Sequence, residues 1–251
     1  MEAYIVAFKA GSSGRFVANL LWGFVQSNNY EYNLSEFNST HDFSPYALSF
    51  YISGLTDSRP FNNSEIYKHL NFNSYPGVAT LHAYPDFDII KSRLPNTKIV
   101  IVSFTKRDIP EIAGNSLLKN GFEKLKLTNY KSIEDHCTSF IQNQYFSEFK
   151  ESYNGQEIPL EFKKELFKQY QTWFNVDVIM SEFFSPVVPD EFVDQTLIID
   201  YHELCHDHES VLQKLSDFTN KKINDRVVNL YQKYLLGRET LITKHMPWIN
   251  L

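Results

Sequence analysis

The chain has 251 residues, of which 43% are hydrophobic and 16% aromatic, a composition typical of a globular protein that needs no disulfide or metal to fold. Its formal net charge of −6 argues against a general nucleic-acid binder, so a bound anion would need specific Lys and Arg residues. Cys137 and Cys205 have no CxxC spacing, which indicates two incidental thiols rather than a disulfide framework.

The sequence shows neither an export signal nor a membrane span. Its first residues lack the basic region of a signal peptide, and their apolar run is too short for one. No stretch approaches the roughly 20 apolar residues that cross a bilayer. We therefore expect a cytoplasmic protein with no membrane span.

Apolar runs and turn signals predict a regular alternation of strands and helices. Residues 3–8 form a short apolar run before a Gly-containing loop, which predicts a buried strand, and a helix is expected over 16–27. Residues 29–76 are rich in Asn, Ser and Pro and predict an irregular insertion that borders a substrate site. The remaining predicted elements are strands at 78–84, 98–104 and 196–201 and helices at 86–94, 107–122, 132–149, 159–183, 208–219 and 223–241.

This order of elements predicts the fold class. Strands that alternate with helices form βαβ units, so we expect an α/β fold with a central parallel sheet flanked by helices. No repeat, low-complexity tract or linker interrupts the chain. The prediction is therefore a single domain over residues 1–251 that contains the insertion at about 29–76.

The loop after the first predicted strand is the first candidate site. It reads Lys9-Ala10-Gly11-Ser12-Ser13-Gly14-Arg15. Backbone N–H groups of such a loop and the positive end of the following helix form an anion site, to which Ser12 and Ser13 add hydroxyls and Lys9 and Arg15 add charge. The alternative is an ordinary tight turn. Because the lysine precedes the glycines, the loop is not a Walker A motif and does not predict ordinary ATP or GTP hydrolysis.

Two further candidates follow later strands. Arg107 comes after the predicted strand 98–104, where a guanidinium can hold phosphate with two hydrogen bonds at the sheet edge that binds ligands. The alternative is an exposed arginine next to Asp108, which would cap the following helix. His82 lies near the end of the predicted strand 78–84 and can act as a general base near neutral pH, or can be a hydrogen-bonded structural histidine.

These segments resemble the sulfotransferase family. The family's 5′-phosphosulfate loop reads roughly Pro-Lys-Ser-Gly-Thr-Thr, so Lys9 matches its lysine, Gly11 its glycine, and Ser12 and Ser13 its hydroxyl pair. Phe8 replaces the proline, and Gly14 stands where an aromatic residue is frequent. The resemblance assigns the 5′-phosphosulfate to Lys9, Gly11, Ser12, Ser13, Gly14 and Arg15.

The later segments fit the same family in the same order. Arg107 matches the arginine of the 3′-phosphate motif, whose serine falls by spacing on Asn115, with Ser116 one residue further. His82 matches the family's catalytic base. A late strand of the family ends in Tyr-x-Glu-Leu-x-x-Asp, which is matched here by Tyr201, Glu203, Leu204 and Asp207. The family's late Arg-Lys-Gly phosphate loop is not evident.

The resemblance implies a fold, a donor and a reaction. The fold would be a three-layer sandwich similar to P-loop nucleotide-binding proteins. The donor would be 3′-phosphoadenosine 5′-phosphosulfate, with Lys9 and Arg107 at opposite ends of the nucleotide and adenosine 3′,5′-bisphosphate as product. Lys9 and His82 would be catalytic, no metal would be required, and the acceptor would be a hydroxyl of a carbohydrate, lipid or small metabolite. The alternative is a sulfotransferase-like protein that binds the nucleotide without turnover.

A competing motif lies at His202-Glu203-Leu204-Cys205-His206, which matches the zinc-protease pattern H-E-x-x-H. Its chemistry requires both histidines on one helical face. The predicted strand 196–201 and a helix capped by Asp207 place these residues across a junction between a strand and a loop. We therefore expect no helical H-E-x-x-H site, and zinc hydrolysis stays a less favoured alternative.

Overall fold

The computed structural model describes residues 3–9, 11–25, 77–81, 84–117, 164–165, 168 and 182–245. The described residues belong to two compact units. The first is drawn from Met1–Thr105 and Glu182–Glu239, and the second from Lys106–Ser181 and Thr240–Leu251. The single domain predicted from the sequence stays a prediction.

The first unit contains a four-stranded sheet in which every pairing is parallel. The strands are β1 (Ala3–Phe8), β2 (Gly77–Leu81), β3 (Thr97–Ser103) and β4 (Thr196–Asp200), in the order β2-β1-β3-β4. The register pairs Ala3 with both Gly77 and Thr97, and Ile99 with Thr196. The predicted α/β fold with a central parallel sheet and flanking helices is confirmed at this level.

Burial of both sheet faces explains the strand sequences. All six residues of β1 are buried, and so are six of the seven residues of β3. Such strands read as continuous apolar runs because neither face meets water. Lys98 is the partly exposed residue of β3, and its ammonium group donates to the Phe218 carbonyl at 2.8 Å while lying 5.3 Å from the centre of the Phe218 ring.

Capping residues mark the start of several helices. They are α1 (Gly14–Val25), α2 (Phe87–Arg93), α3 (Ile109–Leu117), α4 (Tyr201–His206), α5 (His208–Thr219) and α6 (Asp225–His245), with 3₁₀ turns at Lys106–Asp108, Glu182–Phe184 and Asp190–Gln195. Asp86 caps α2 by accepting a hydrogen bond from the Ile89 N–H at 3.0 Å. Asp207 caps α5 in the same way through Ser210, at 3.2 Å, as predicted from the sequence.

One prediction about this region is wrong. Tyr201 does not end a strand but begins α4, so that all of His202–His206 is helical. The physical reason is an N-cap: the Asp200 carboxylate accepts the His202 and Glu203 N–H groups at 2.9 and 3.3 Å. These are donors that the first turn of a helix cannot satisfy internally, and capping them turns the chain from strand into helix at once.

Helix α6 packs against α1 and closes the core of the first unit. The Asn224 amide donates to the Gly23 carbonyl at 3.4 Å, and a Cβ on Gly23 would stand 2.7 Å from Val227. The ring of Phe16 stacks on Tyr234 with centroids 3.8 Å apart. The contacts at Gly23 hold the last turns of α1, and the Phe16 contact holds its first turn, where the candidate loop ends.

The remaining predicted elements agree with the structure to within a few residues where it describes them. The predicted strand 98–104 corresponds to β3 and the predicted helix 86–94 to α2. The helix predicted over 107–122 begins as a 3₁₀ turn and continues as α3, and its last residues lie outside the described part. The insertion at 29–76, the helix over 132–149 and most of the helix over 159–183 also lie outside the described residues.

None of the helices in the described ranges is both long enough and apolar enough to cross a membrane.

Candidate functional site

The candidate loop lies at the point of the sheet where ligands usually bind in open α/β folds. β2, the described strand that follows β1 in the chain, lies on one side of β1. β4, the described strand that follows β3, lies on the opposite side of β3. β1 and β3 are adjacent, with Phe8 opposite Val102. At such a switch point the loops after the two strands diverge and leave a crevice at the carboxyl edge of the sheet. The loop after β1 therefore begins at this switch point.

A tight turn begins the loop. The Ser12 N–H donates to the Lys9 carbonyl at 3.1 Å, which closes a four-residue turn. Gly11 has φ 90°, a positive value that glycine adopts without steric cost. The Ser12 hydroxyl donates to the same carbonyl at 2.7 Å, and Ser12 is fully buried. Both donors of Ser12 thus stabilise the turn, and a contact from its hydroxyl to phosphate stays a prediction.

Ser13 connects this turn to helix α1. Its φ of 60° is in the left-handed region, which is uncommon for a residue with a side chain and clusters at functional sites. Its carbonyl accepts the Phe16 and Val17 N–H groups at 2.9 and 3.3 Å and so begins the helix. The first N–H groups of α1 have no acceptor within the helix, and the helix dipole adds positive potential there. This end of α1 therefore favours an anion.

Gly14 is required by the close approach of α1 to β1. A Cβ atom at this position would stand 2.0 Å from Cγ and 2.5 Å from Cβ of Phe8. Phe8 is buried at the end of β1, so it has little room to move. The two departures from the sulfotransferase pattern are thus linked, because the phenyl ring that replaces the usual proline occupies the space that a side chain at position 14 would need.

Tyr234 of α6 supports the loop from the interior, and sequence reasoning missed it. Its hydroxyl donates to the Ser13 hydroxyl at 2.8 Å. The Cys205 sulfur lies 3.8 Å from the same hydroxyl. No local pattern could reveal this contact, because Tyr234 follows Ser13 by 221 residues. A hydroxyl that accepts still has its own proton, so Ser13 can donate to a phosphate.

Tyr231 holds the next turn of the same helix against α4. Its hydroxyl donates to the Leu204 carbonyl at 2.7 Å, and its ring meets Phe16 edge to face. Burial raises the pKa of Tyr231 well above its ordinary value, and the nearby Cys205, Glu203 and Asp207 add to the rise. The phenol is therefore neutral throughout the physiological range and acts as a structural donor.

The residues predicted for the 3′-phosphate belong to the second unit. Arg107 lies in the 3₁₀ turn before α3 with its side chain 58% exposed, and its Nε is 3.8 Å from the buried Asp108 carboxylate. That distance makes the ion pair weak. Asn115 is a buried residue of α3, and Ser116 is described only as part of the helix backbone.

The side chains of two predicted site residues lie outside the described part of the structure. His82, the predicted base, lies outside the described residues. Arg15 is in the first turn of α1, but only its backbone belongs to the described part.

The H-E-x-x-H segment is helical, yet its glutamate is engaged elsewhere. The Glu203 carboxylate accepts from the Ser210 hydroxyl at 2.6 Å and from the Lys214 ammonium at 2.7 Å, which ties α4 to α5. His202 and His206 lie one turn apart with ring centroids 4.4 Å from each other. In the part of the chain that the structure describes, no group of three or more His, Cys, Asp or Glu residues is arranged to hold a metal ion.

Comparison with known proteins adds no assignment. No family model matches the chain, and neither a curated protein nor a solved structure matches it.

Proposed function

We propose that the protein transfers a sulfuryl group from 3′-phosphoadenosine 5′-phosphosulfate to a hydroxyl acceptor. The observation that carries the proposal is the position of the loop from Lys9 to Gly14. It begins at the carboxyl end of a central parallel strand, borders the switch point of the sheet and leads into the N-terminus of α1. Backbone donors and a lysine at this place suit a phosphate-containing ligand.

In this proposal the loop binds the 5′-phosphosulfate. The N–H groups at the start of α1 and the Ser13 hydroxyl donate to its oxygens, and Tyr234 keeps the Ser13 hydroxyl in place. The close contact between Gly14 and Phe8 keeps the helix end rigid, so that these donors are already oriented before the ligand binds.

In this proposal the positive charge of Lys9 stabilises the transition state. The acceptor oxygen attacks sulfur as the bond from sulfur to the bridging oxygen breaks, and negative charge grows on that oxygen of the departing phosphate. A lysine ammonium fixed at the end of β1 stabilises this charge more in the transition state than in the ground state. His82 is assigned the proton of the acceptor hydroxyl.

The finer assignments rest on the sulfotransferase resemblance. They are the three-layer P-loop-like architecture, the 3′-phosphate contacts of Arg107, Asn115 and Ser116, and the nature of the acceptor, which is a carbohydrate, a lipid or a small metabolite. A lysine placed before the glycines argues for this donor rather than for ATP or GTP, whose usual loop has its lysine after the second glycine.

The test is transfer of isotope-labelled sulfate from the donor to a mixed panel of hydroxyl acceptors. We expect label transfer by the wild-type protein and a loss of about 100-fold or more in kcat for Lys9→Ala, the size found when one charge-stabilising donor is removed from a comparable site. Lys91→Ala is the matched control, because it removes an exposed lysine of helix α2 that forms an ion pair with Glu191. Absence of transfer together with absence of binding of adenosine 3′,5′-bisphosphate would refute the proposal.

A further inference from the structure

Two histidines on α4 face one another across a single helical turn. The rings of His202 and His206 have their centroids 4.4 Å apart and their planes inclined by 39°. Positions four residues apart lie on one helical face, so the two side chains leave the backbone in the same direction. His206 is exposed and His202 is partly exposed, so this face meets solvent.

The rest of the helix is fixed on its other sides. Asp200 caps its first turn, and Leu204 and Cys205 are buried, with the Leu204 carbonyl bound by the Tyr231 hydroxyl at 2.7 Å. Glu203 is held by two donors of α5. A helix of only six residues would be marginal alone, but these contacts hold its backbone. The backbone from which the two imidazoles extend is therefore held in place by these contacts.

We propose that His202 and His206 chelate one first-row divalent transition-metal ion, with water molecules completing its coordination. Imidazole nitrogens bind such ions at about 2.0–2.1 Å, and the separation of the rings allows one nitrogen from each to reach a common ion. Imidazole is a preferred ligand of Cu²⁺, Ni²⁺ and Zn²⁺, whereas Mg²⁺ prefers oxygen. The proposal does not depend on sulfuryl transfer.

The site is a binding site and not the catalytic centre of a hydrolase. In H-E-x-x-H enzymes the glutamate is the general base beside the metal. Here the Glu203 carboxylate is occupied by Ser210 and Lys214 on α5. The ion would instead join the two ends of α4, and since it binds only the folded helix, it would raise the stability of the protein.

Affinity for the metal distinguishes this site from the other histidines of the chain. Calorimetric titration of the purified protein with CuCl₂, NiCl₂ and ZnCl₂ should give one equivalent of tight binding, strongest for copper, and MgCl₂ should give none. The temperature of thermal unfolding should rise in the presence of CuCl₂, NiCl₂ or ZnCl₂. His202→Ala and His206→Ala should each weaken this binding at least tenfold and remove the shift.

His208→Ala is the matched control, because His208 lies two residues beyond the pair, at the start of α5, with its ring 5.8 Å from Tyr231. It should retain the wild-type affinity. If His202→Ala unfolds the protein, His206→Gln replaces it in the test, because a substitution at this exposed position should leave the helix intact. Wild-type binding by His206→Gln, loss of binding by His208→Ala, or absence of binding by the wild type would each overturn the proposal.

Discussion

The loop after β1 and the helix after β4 each contain a recognisable motif, but the motif residues have different partners in the two segments. Both follow a strand of one parallel sheet directly, and both are backed by tyrosines of α6. In the loop, Gly11 and Gly14 permit the backbone geometry, and the Ser13 hydroxyl accepts a hydrogen bond from Tyr234. In the helix, the motif's glutamate forms an ion pair with Lys214, His202 is partly exposed and His206 is exposed.

This difference shows what a motif establishes and what it does not. A motif fixes residue types and spacing, but the chemistry depends on which of those groups have partners elsewhere in the fold. Glu203 has such partners in Ser210 and Lys214. The N–H and the hydroxyl of Ser12 both donate to the Lys9 carbonyl. The Ser13 hydroxyl accepts from Tyr234 and still has its own proton to donate. The same reasoning therefore favours the loop as a phosphate site and argues against hydrolysis by the helix.

The largest effect on stability is expected at Gly14. Gly14→Ala places a Cβ atom 2.0 Å from Cγ of the buried Phe8, so the helix end or the ring must move. We expect a loss of roughly 3 kcal/mol or more in the free energy of unfolding, at the upper end of overpacking effects. Urea unfolding of Gly14→Ala, Phe8→Ala and the double variant measures it. Because the clash requires both side chains, the double variant should lose less than the sum of the two; strict additivity would contradict the steric account.

Alkaline pH should reveal Tyr231. Its raised pKa means that the folded state keeps the proton which the unfolded chain releases near pH 10, so stability is fully present below that pH and falls as the pH rises above it. The expected slope is about 1.4 kcal/mol per pH unit for this one group. Tyr231→Phe should be less stable at pH 8 by about 1 kcal/mol, the value of the lost bond to the Leu204 carbonyl. It should also show a shallower alkaline loss in urea unfolding, and an unchanged slope would exclude a buried Tyr231.

Tyr234→Phe separates support of the loop from support of the core. It keeps the ring that stacks on Phe16 and removes only the hydroxyl that binds Ser13. We expect a loss of about 1 kcal/mol in stability and a several-fold weaker affinity for adenosine 3′,5′-bisphosphate. In Tyr231→Phe, whose hydroxyl contacts α4 instead of the loop, nucleotide affinity should change less. Equal affinity changes in the two variants would indicate a general loss of packing.

The smallest effect is expected at Glu203. Glu203→Gln removes an ion pair whose lysine is 43% exposed, so the change in unfolding free energy should stay below about 1 kcal/mol. Metal affinity at His202 and His206 should be nearly unchanged, because the glutamate is not a ligand. Isothermal titration with NiCl₂ measures this. Loss of a metal-dependent hydrolytic activity in this variant would restore the zinc-hydrolase interpretation.

Prediction from sequence succeeded where the signal was local. The apolar runs over 3–8 and 98–104 identified β1 and β3 to within a residue, because strands buried on both faces have no polar alternation. Asp207 was recognised as a cap from its position before an amphipathic segment. Helix α4 was missed although Asp200 and Glu203 have the spacing of a capping box, since the apolar residues before them favoured a strand.

The parts of the site that depend on distant residues could not be predicted. The contact between Tyr234 and Ser13 joins opposite ends of the chain, and the steric link between Gly14 and Phe8 follows from how closely α1 approaches β1. The motif itself indicated an anion site at Lys9 to Arg15, but which hydroxyl is used internally depends on the turn geometry. These features follow from packing, for which a single sequence has no direct signal.

The most direct measurement is the affinity of the purified protein for adenosine 3′,5′-bisphosphate by isothermal titration, with Lys9→Ala and the control Lys91→Ala titrated alongside. If the loop after β1 holds the 5′-phosphate, the wild-type and Lys91→Ala proteins bind one nucleotide with the same affinity and Lys9→Ala binds at least tenfold more weakly. Equal binding by all three proteins, or binding by none of them, would contradict the phosphate site.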